Sequence, residues 1–391
     1  MSETLFQSIR LDEITTNETQ RKPRLLGIDL VRLLAMVFMM QGHTLDALLQ
    51  PSYQASGWYS TWQFVRGFTA PTFLTLSGFS FALVTVRAWD KHIVLSSTVW
   101  RRVRRFAFFV VLGYLMHFPV HRVADLRWLG VDGWKQGLQV DVLQTIGVSL
   151  LFLQALAFLA RTPRRFAAIS LVTSAAVILS SAFLWAAHWP GYLPIVIAAY
   201  LNGATGSIFP LFPWSAYVLL GAGLGAFYTI SDPVSPRPFA RRFAASGLVL
   251  AFSGVELQNL GMRLYAHFDF WHTSPTLFLT RAGVVLLVLG MALHLKQLPS
   301  RAADTVRTLA KESLLVYFVH VCLLYGSIWN LGLRQYWGGS FDLLHATFAA
   351  VLMITSMLIL ALAWDRCKTA GEVPQLVVRA LTVAVAVWSL S

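Results

Sequence analysis

Arg32 and His43 stand in the first long apolar segment of the chain, LLGIDLVRLLAMVFMMQGHTLDALL, with ten residues between them. An arginine at mid-bilayer costs roughly 2.5–3.5 kcal/mol on the most lenient scale, so such residues face a protein interior or a wet cavity and mark functional sites. At about 100° per residue, eleven positions make three turns plus roughly 20°, which puts both side chains on one helix face about 16 Å apart. Asp29, Met36, Met39 and Asp46 lie on or near the same line. An imidazole there can move a proton, and a guanidinium can hold an anion. A structural alternative also covers these residues: an ion pair of Asp29 with Arg32 where the helix begins, and an interfacial His43.

Further polar residues interrupt later apolar runs. FVRGFTAPTFLTLSGFSFALV carries Arg66 at its start, then Thr75, Ser77 and Gly78, which read as small residues for close helix approach. In KESLLVYFVHVCLLYG, Ser313, Tyr317 and His320 are spaced i, i+4, i+7 and share a face. Asp141 and Gln144 open another run, and Glu256 and Arg281 read as an ion pair between neighbouring helices. The cluster Arg101, Arg102, Arg104, Arg105 is first a topology signal. Arginine forks also suit phosphate groups, and Arg101 and Arg105 are taken as candidates for that role.

The elements that must position these residues are membrane helices. Hydrophobic residues make up 56% and charged residues 13% of the 391 positions, whereas a soluble domain carries about 25% charged residues. Apolar runs fall at 25–48, 64–86, 104–120, 139–160, 166–187, 210–230, 243–262, 276–295, 312–332 and 342–364, with an eleventh, weaker one at 376–390. The chain therefore reads as an all-α polytopic bundle of 10–11 transmembrane helices. Lys and Arg alternate with the spans and collect in every second loop, which predicts a cytoplasmic N-terminus. The formal charge of +13 belongs to these loops and is not a nucleic-acid signature. Residues 1–23 read as a disordered cytoplasmic tail without a cleavage site, 24–365 as one membrane domain, and 366–391 as a C-terminal loop and weak apolar segment. The uncharged stretch 188–210 is too short in its apolar middle to span, and is expected to be re-entrant or superficial.

Cys322 and Cys367 make no disulfide or metal framework, and His188, His267 and His272 lack metal spacing, so no metal is expected. There is no phosphate-binding Gly-rich loop, dinucleotide fingerprint, zincin motif or nucleophile elbow.

RLLGIDLVRLLAMVFMMQGHT resembles the opening of the transmembrane acyltransferase superfamily, in which an arginine, ten residues and a histidine occupy the first core span. FTAPTFLTLSGFSFAL, DVLQTIGVSLLFL, FPLFPWSAYVLLGAGLG, SPTLFLTRAGVVLLVLG and ESLLVYFVHVCLLYG are similar, in order and spacing, to the bacterial branch related to the heparan-alpha-glucosaminide N-acetyltransferase catalytic domain. The resemblance covers about residues 24–365. It implies transfer of an acyl group, acetyl above all, from a cytoplasmic acyl-CoA to an acceptor beyond the membrane. The acceptor would be a hydroxyl or amine on a glycan or cell-envelope molecule, and the location a bacterial inner membrane. The lysosomal enzyme places its histidine in the outer loop after the first core span; here that stretch, LLQPSYQASGWYSTWQ, holds none, and the assignment falls on His43.

In this scheme neutral His43 is the general base, a role contributing about 10²–10⁴-fold. Asp46 would orient its ring, Arg66 or Tyr317 and His320 would meet the oxyanion, and Arg32 with Asp29, Arg101 and Arg105 would hold the donor. An acyl-histidine intermediate is a second route. Acyl-CoA, the acceptor and membrane lipids are the expected partners; the sequence sets no oligomeric state, a dimer being one option. A secondary transporter or exporter of a small polar or anionic solute is the alternative, since it too needs buried charges and interrupted spans.

Overall fold

A computed structural model describes residues 25–120, 123–231, 237–264, 269–294 and 298–369. The described residues are 81% helical and form no β-strand. The tail 1–23, the segment 376–390, Lys296 and His267 lie outside them.

The first apolar run forms α1 (Leu26–Leu48). Next come α2 (Gly57–Arg66) and α3 (Thr69–Arg87), separated at Gly67 and Phe68. They are followed by α4 (Ser97–Met116), α5 (Val142–Ala160), α6 (Pro163–Ala186) and α7 (Leu211–Ile230). The remainder is α8 (Arg237–Glu256), α9 (Gln258–Leu264), α10 (Pro275–His294), α11 (Ser300–Lys311), α12 (Ser313–Tyr325) and α13 (Leu343–Thr369). Seven stretches are long and apolar enough to cross a membrane, α2 and α3 counting as one, and up to nine if two bent pairs each count as a span. Those pairs are α8 with α9, bent by 56°, and α11 with α12, bent by 58°. Among the described residues that is seven to nine candidate spans against the ten expected before residue 365, and α4, at the run expected at 104–120, is not among them. The protein is an integral membrane helical bundle.

Two boundaries differ from the sequence reading in ways that matter below. α4 begins at Ser97, not at residue 104, because the Ser96 side chain accepts from Val99 N and arginine is a good helix former. Arg101, Arg102, Arg104 and Arg105 therefore sit on helical faces rather than in a loop. The span expected at 312–332 is a bent element whose second arm, α12, stops at Tyr325.

α1 runs through the middle of its half of the bundle, in contact with α3, α10, α11, α12 and α13. This explains its burial at Val31, Met36, Met40, Leu45 and Leu48 around its circumference. α3 lies closely against α7: a Cβ on Gly78 would collide with the Val218 carbonyl, and one on Gly221 with the Thr75 carbonyl. That backbone-to-backbone approach is the packing that small residues permit where lipid supplies no hydrophobic drive. α5 is started by a capping box of Asp141 and Gln144. The stretch 188–210 holds no helix longer than four residues. It folds as short turns, with Ala198 and Ala199 fully buried, and its end donates from Ile208 N and Phe209 N to the Val140 carbonyl at 3.1 and 3.0 Å.

Candidate active site

A cavity of about 1510 Å³ lies among α1, α3, α4, α5 and α12, and both Arg32 and His43 line it. A single small-molecule site typically occupies about 300–1,000 Å³, so there is room for two substrates or one long one.

His320 is fully buried behind His43. Its Nδ1 lies 2.7 Å from the Val316 carbonyl. A carbonyl only accepts, so in the neutral ring the hydrogen is on Nδ1 and Nε2 is an acceptor. That Nε2 is 3.0 Å from Nδ1 of His43, which must then carry its own hydrogen. The rings are 8° apart in plane with centroids separated by 5.2 Å, a distance that fits two rings joined end to end by this bond. The Tyr325 hydroxyl donates to the His43 carbonyl at 3.2 Å. What remains is Nε2 of His43, with a lone pair and no hydrogen-bond partner among the described residues, on a residue that lines the cavity. This arrangement can accept a proton.

Asp46 takes no part in orienting that ring. Its Oδ1 accepts from the Tyr59 hydroxyl at 2.6 Å, and its Oδ2 pairs with Arg66. Arg66 also donates from Nη1 to the Gly42 carbonyl at 2.8 Å. These two residues clamp the end of α1 to α2, one residue before His43. Arg66 still lines the cavity.

Asp141 collects a second network. Its Oδ2 accepts from the Tyr317 hydroxyl at 2.9 Å and from Nε2 of His117 at 3.0 Å, and its Oδ1 from Val142 N at 2.7 Å. Nε2 of Gln139 lies 2.7 Å from Nδ1 of His117. Both nitrogens of His117 are thus engaged, which leaves His43 as the cavity histidine with an open one among the described residues.

Toward the other end of the cavity, Arg32 Nη2 donates to Ser80 Oγ at 2.8 Å, and Nη1 is 3.9 Å from Asp29 Oδ1. On α4, Arg102, Arg105, Phe106 and Phe109 line the cavity at i, i+3, i+4 and i+7. Arg102 donates to Thr85 Oγ1 at 2.8 Å and lies over the Phe81 ring, 4.4 Å from its centroid. Lys311, at the α11–α12 bend, also faces the cavity and pairs with Asp365 at 3.1 Å.

A family model described as an acyltransferase domain matches residues 25–363. The chain belongs to this family. No curated protein matches it. The match places the chain among acyltransferases rather than transporters.

Within the acyltransferase, the expected site residues separate into three groups. His43, Asp46, Arg66, Tyr317, Arg32 and Arg105 are brought to one cavity. His320 and Asp29 are buried outside its wall, at 0% and 2% exposure. His320 holds the His43 ring, and Asp29 supplies a counter-charge for Arg32. Neither role is the expected one, as oxyanion donor or donor ligand. Tyr317 likewise gives its hydroxyl to Asp141 rather than to an oxyanion. Arg101 lies off the cavity wall, on a different face of α4, and contacts Thr98 at 3.4 Å, whereas Arg102 lines the cavity. Its neighbours on the helix explain this: only positions in register with Phe106 and Phe109 point inward. The expected ion pair of Glu256 with Arg281 does not form among the described residues. The α8–α9 bend follows Glu256, which stays exposed, while Arg281 lines the cavity over Trp214. Arg102 could have been found from helical periodicity. His117, Tyr325 and Arg281 carried no spacing signal, since their partners come from remote segments.

Proposed function

We propose that this membrane acyltransferase moves an acyl group, acetyl in the simplest case, from acyl-CoA to a hydroxyl or amino group of an acceptor on the far side of the membrane. The acceptor class is a glycan or cell-envelope molecule, and the setting a bacterial inner membrane with the N-terminus in the cytoplasm. The single observation that carries this reading is the cavity: Arg32, Arg102 and Arg105 line one part of it, and a histidine with an open nitrogen lines another. Arginines suit the phosphates of the donor. His43 Nε2 suits the proton of the acceptor.

The reaction balances with these groups. The acceptor O–H or N–H attacks the thioester carbonyl while Nε2 of His43 takes its proton. The tetrahedral adduct collapses, the C–S bond breaks, and the departing thiolate recovers the proton from the imidazolium. The Nδ1–H of His43, donated to His320, stays in place through both steps. Transient positive charge on His43 is spread along its bond to His320 and on to the Val316 carbonyl.

The test uses purified full-length protein and acyl-labelled acetyl-CoA. His43→Gln is expected to bind the donor and to lose about 10²–10⁴-fold in transfer. Full transfer by a correctly inserted His43→Gln variant rejects the assignment, and labelled protein trapped with donor alone replaces it by the acyl-histidine route.

A further inference from the structure

The part of the cavity beside His43 carries more positive charge than it neutralises. Arg66, Arg281 and Arg334 all line it. Arg66 has Asp46. Arg281 and Arg334 have no carboxylate at ion-pair distance among the described residues. The two acids in the cavity wall are already engaged, Asp46 by Arg66 and Tyr59 and Asp141 by His117 and Tyr317.

Arg281 is held in place by its surroundings. It lies over the Trp214 ring, 5.9 Å from the centroid. A Cβ built on Gly67 would sit 3.4 Å from its Nη2, and Gly67 follows the arginine that grips the residue before His43. Arg334 approaches from another direction, over the Tyr325 ring at 5.8 Å, and the Tyr325 hydroxyl holds the His43 carbonyl. Arg281 is half-buried, with Tyr217 as a neutral hydrogen-bond partner, and Arg334 is exposed; a half-buried guanidinium without a counter-anion is placed to take one from a ligand. Its planar fork matches the two oxygens of a carboxylate or phosphate. A neutral acceptor would leave that charge unanswered.

We infer that Arg281, with Arg334 nearer the surface, binds an acidic group of the acceptor, so that the molecule acylated is an anionic one: a sugar or related alcohol or amine bearing a carboxylate or a phosphate near its nucleophile. The inference deepens the acyl-transfer reading and rests on it only in calling the ligand an acceptor.

The test measures thermal unfolding and binding of the purified protein with three probes: glucuronate, glucose 1-phosphate and glucose. Wild type is expected to be stabilised by an acidic probe and not by glucose, and the better acidic probe tells carboxylate from phosphate. Arg281→Gln is expected to lower that affinity roughly 10–100-fold, the worth of hydrogen bonds to a charged group. Arg281→Lys should lose less, which separates a lost charge from a damaged fold. Acetyl-CoA affinity should hold in both.

The site is overturned if no acidic probe binds wild type, if glucose binds equally well, or if Arg281→Gln leaves acidic binding unchanged. It is also overturned if that variant loses acetyl-CoA instead, which would assign Arg281 to the donor. Arg281-dependent anion binding without acyl transfer to any acceptor would reject the enzyme scheme and leave the anion site standing. Transfer to glucose with no acidic preference would do the reverse.

Discussion

At the scale of single residues, the chemistry turns on which histidine nitrogen is open. The order Val316 carbonyl, His320, His43 fixes both tautomers by hydrogen-bond logic alone. In the proposed mechanism His320 is a positioning residue, the part a carboxylate plays beside a catalytic histidine in hydrolytic triads. Replacing it with leucine strands the Nδ1–H of His43 in a buried place. His320→Leu is expected to lower kcat roughly 10–100-fold, the rate equivalent of one lost buried hydrogen bond, with little change in KM for the donor. His320→Gln, whose amide oxygen can accept, should recover part of the loss, and the pH profile of kcat should move in the leucine variant. Equal loss of kcat in both variants would mean that His320 only fills space. Asp46 predicts differently. Asp46→Asn weakens the clamp on Arg66 and Tyr59, so thermal unfolding should come earlier even where His43 is unaltered.

At the scale of elements, α4 and the α3–α7 pair each make a separate point. α4 brings Arg102 and Arg105 to the cavity wall and leaves Arg101 off it. If donor phosphates meet this face, Arg102→Gln should weaken acetyl-CoA binding about tenfold or more, and Arg101→Gln should leave it unaltered. Titration calorimetry of the two variants decides this, and equal effects would point to general electrostatic attraction. The α3–α7 contact depends on glycine because two backbones meet there. Gly78→Val forces the Val218 carbonyl aside, and overpacking of this kind costs about 1–3 kcal/mol. A lowered unfolding temperature in detergent, against an unaffected Gly57→Val control at an open position, checks it.

At the scale of the molecule, the cavity links residues from the first helix to the twelfth, so the site exists only in the folded bundle. Its proposed direction across the membrane follows from the loop charges, and labelling tests it. In a background with Cys322 and Cys367 replaced by serine, Ser96→Cys lies before α4 and Ser52→Cys after α1, both exposed. A membrane-impermeant thiol reagent added to intact cells should modify the cysteine at 52 and spare the one at 96. The opposite pattern inverts the proposed orientation and moves donor and acceptor to exchanged ends.

Much of this was legible before folding. Hydrophobic run length alone determines a polytopic helical bundle, because every backbone amide in a bilayer must be satisfied within its own helix. The spacing of Arg32 and His43 determines that they share a face, because an α-helix is periodic. Which partner each polar group takes was not legible. Asp46 stands one turn from His43, yet its carboxylate turns to α2; Glu256 and Arg281 look complementary, yet a bend after Glu256 separates them. His320 lies 277 residues from His43, and no local pattern joins them. Periodicity is a property of each helix and is written in the chain. Pairing across helices depends on rotation, tilt and bends set by packing, and only the tertiary structure decided that His320 would hold the His43 ring and that Arg281 would face the cavity.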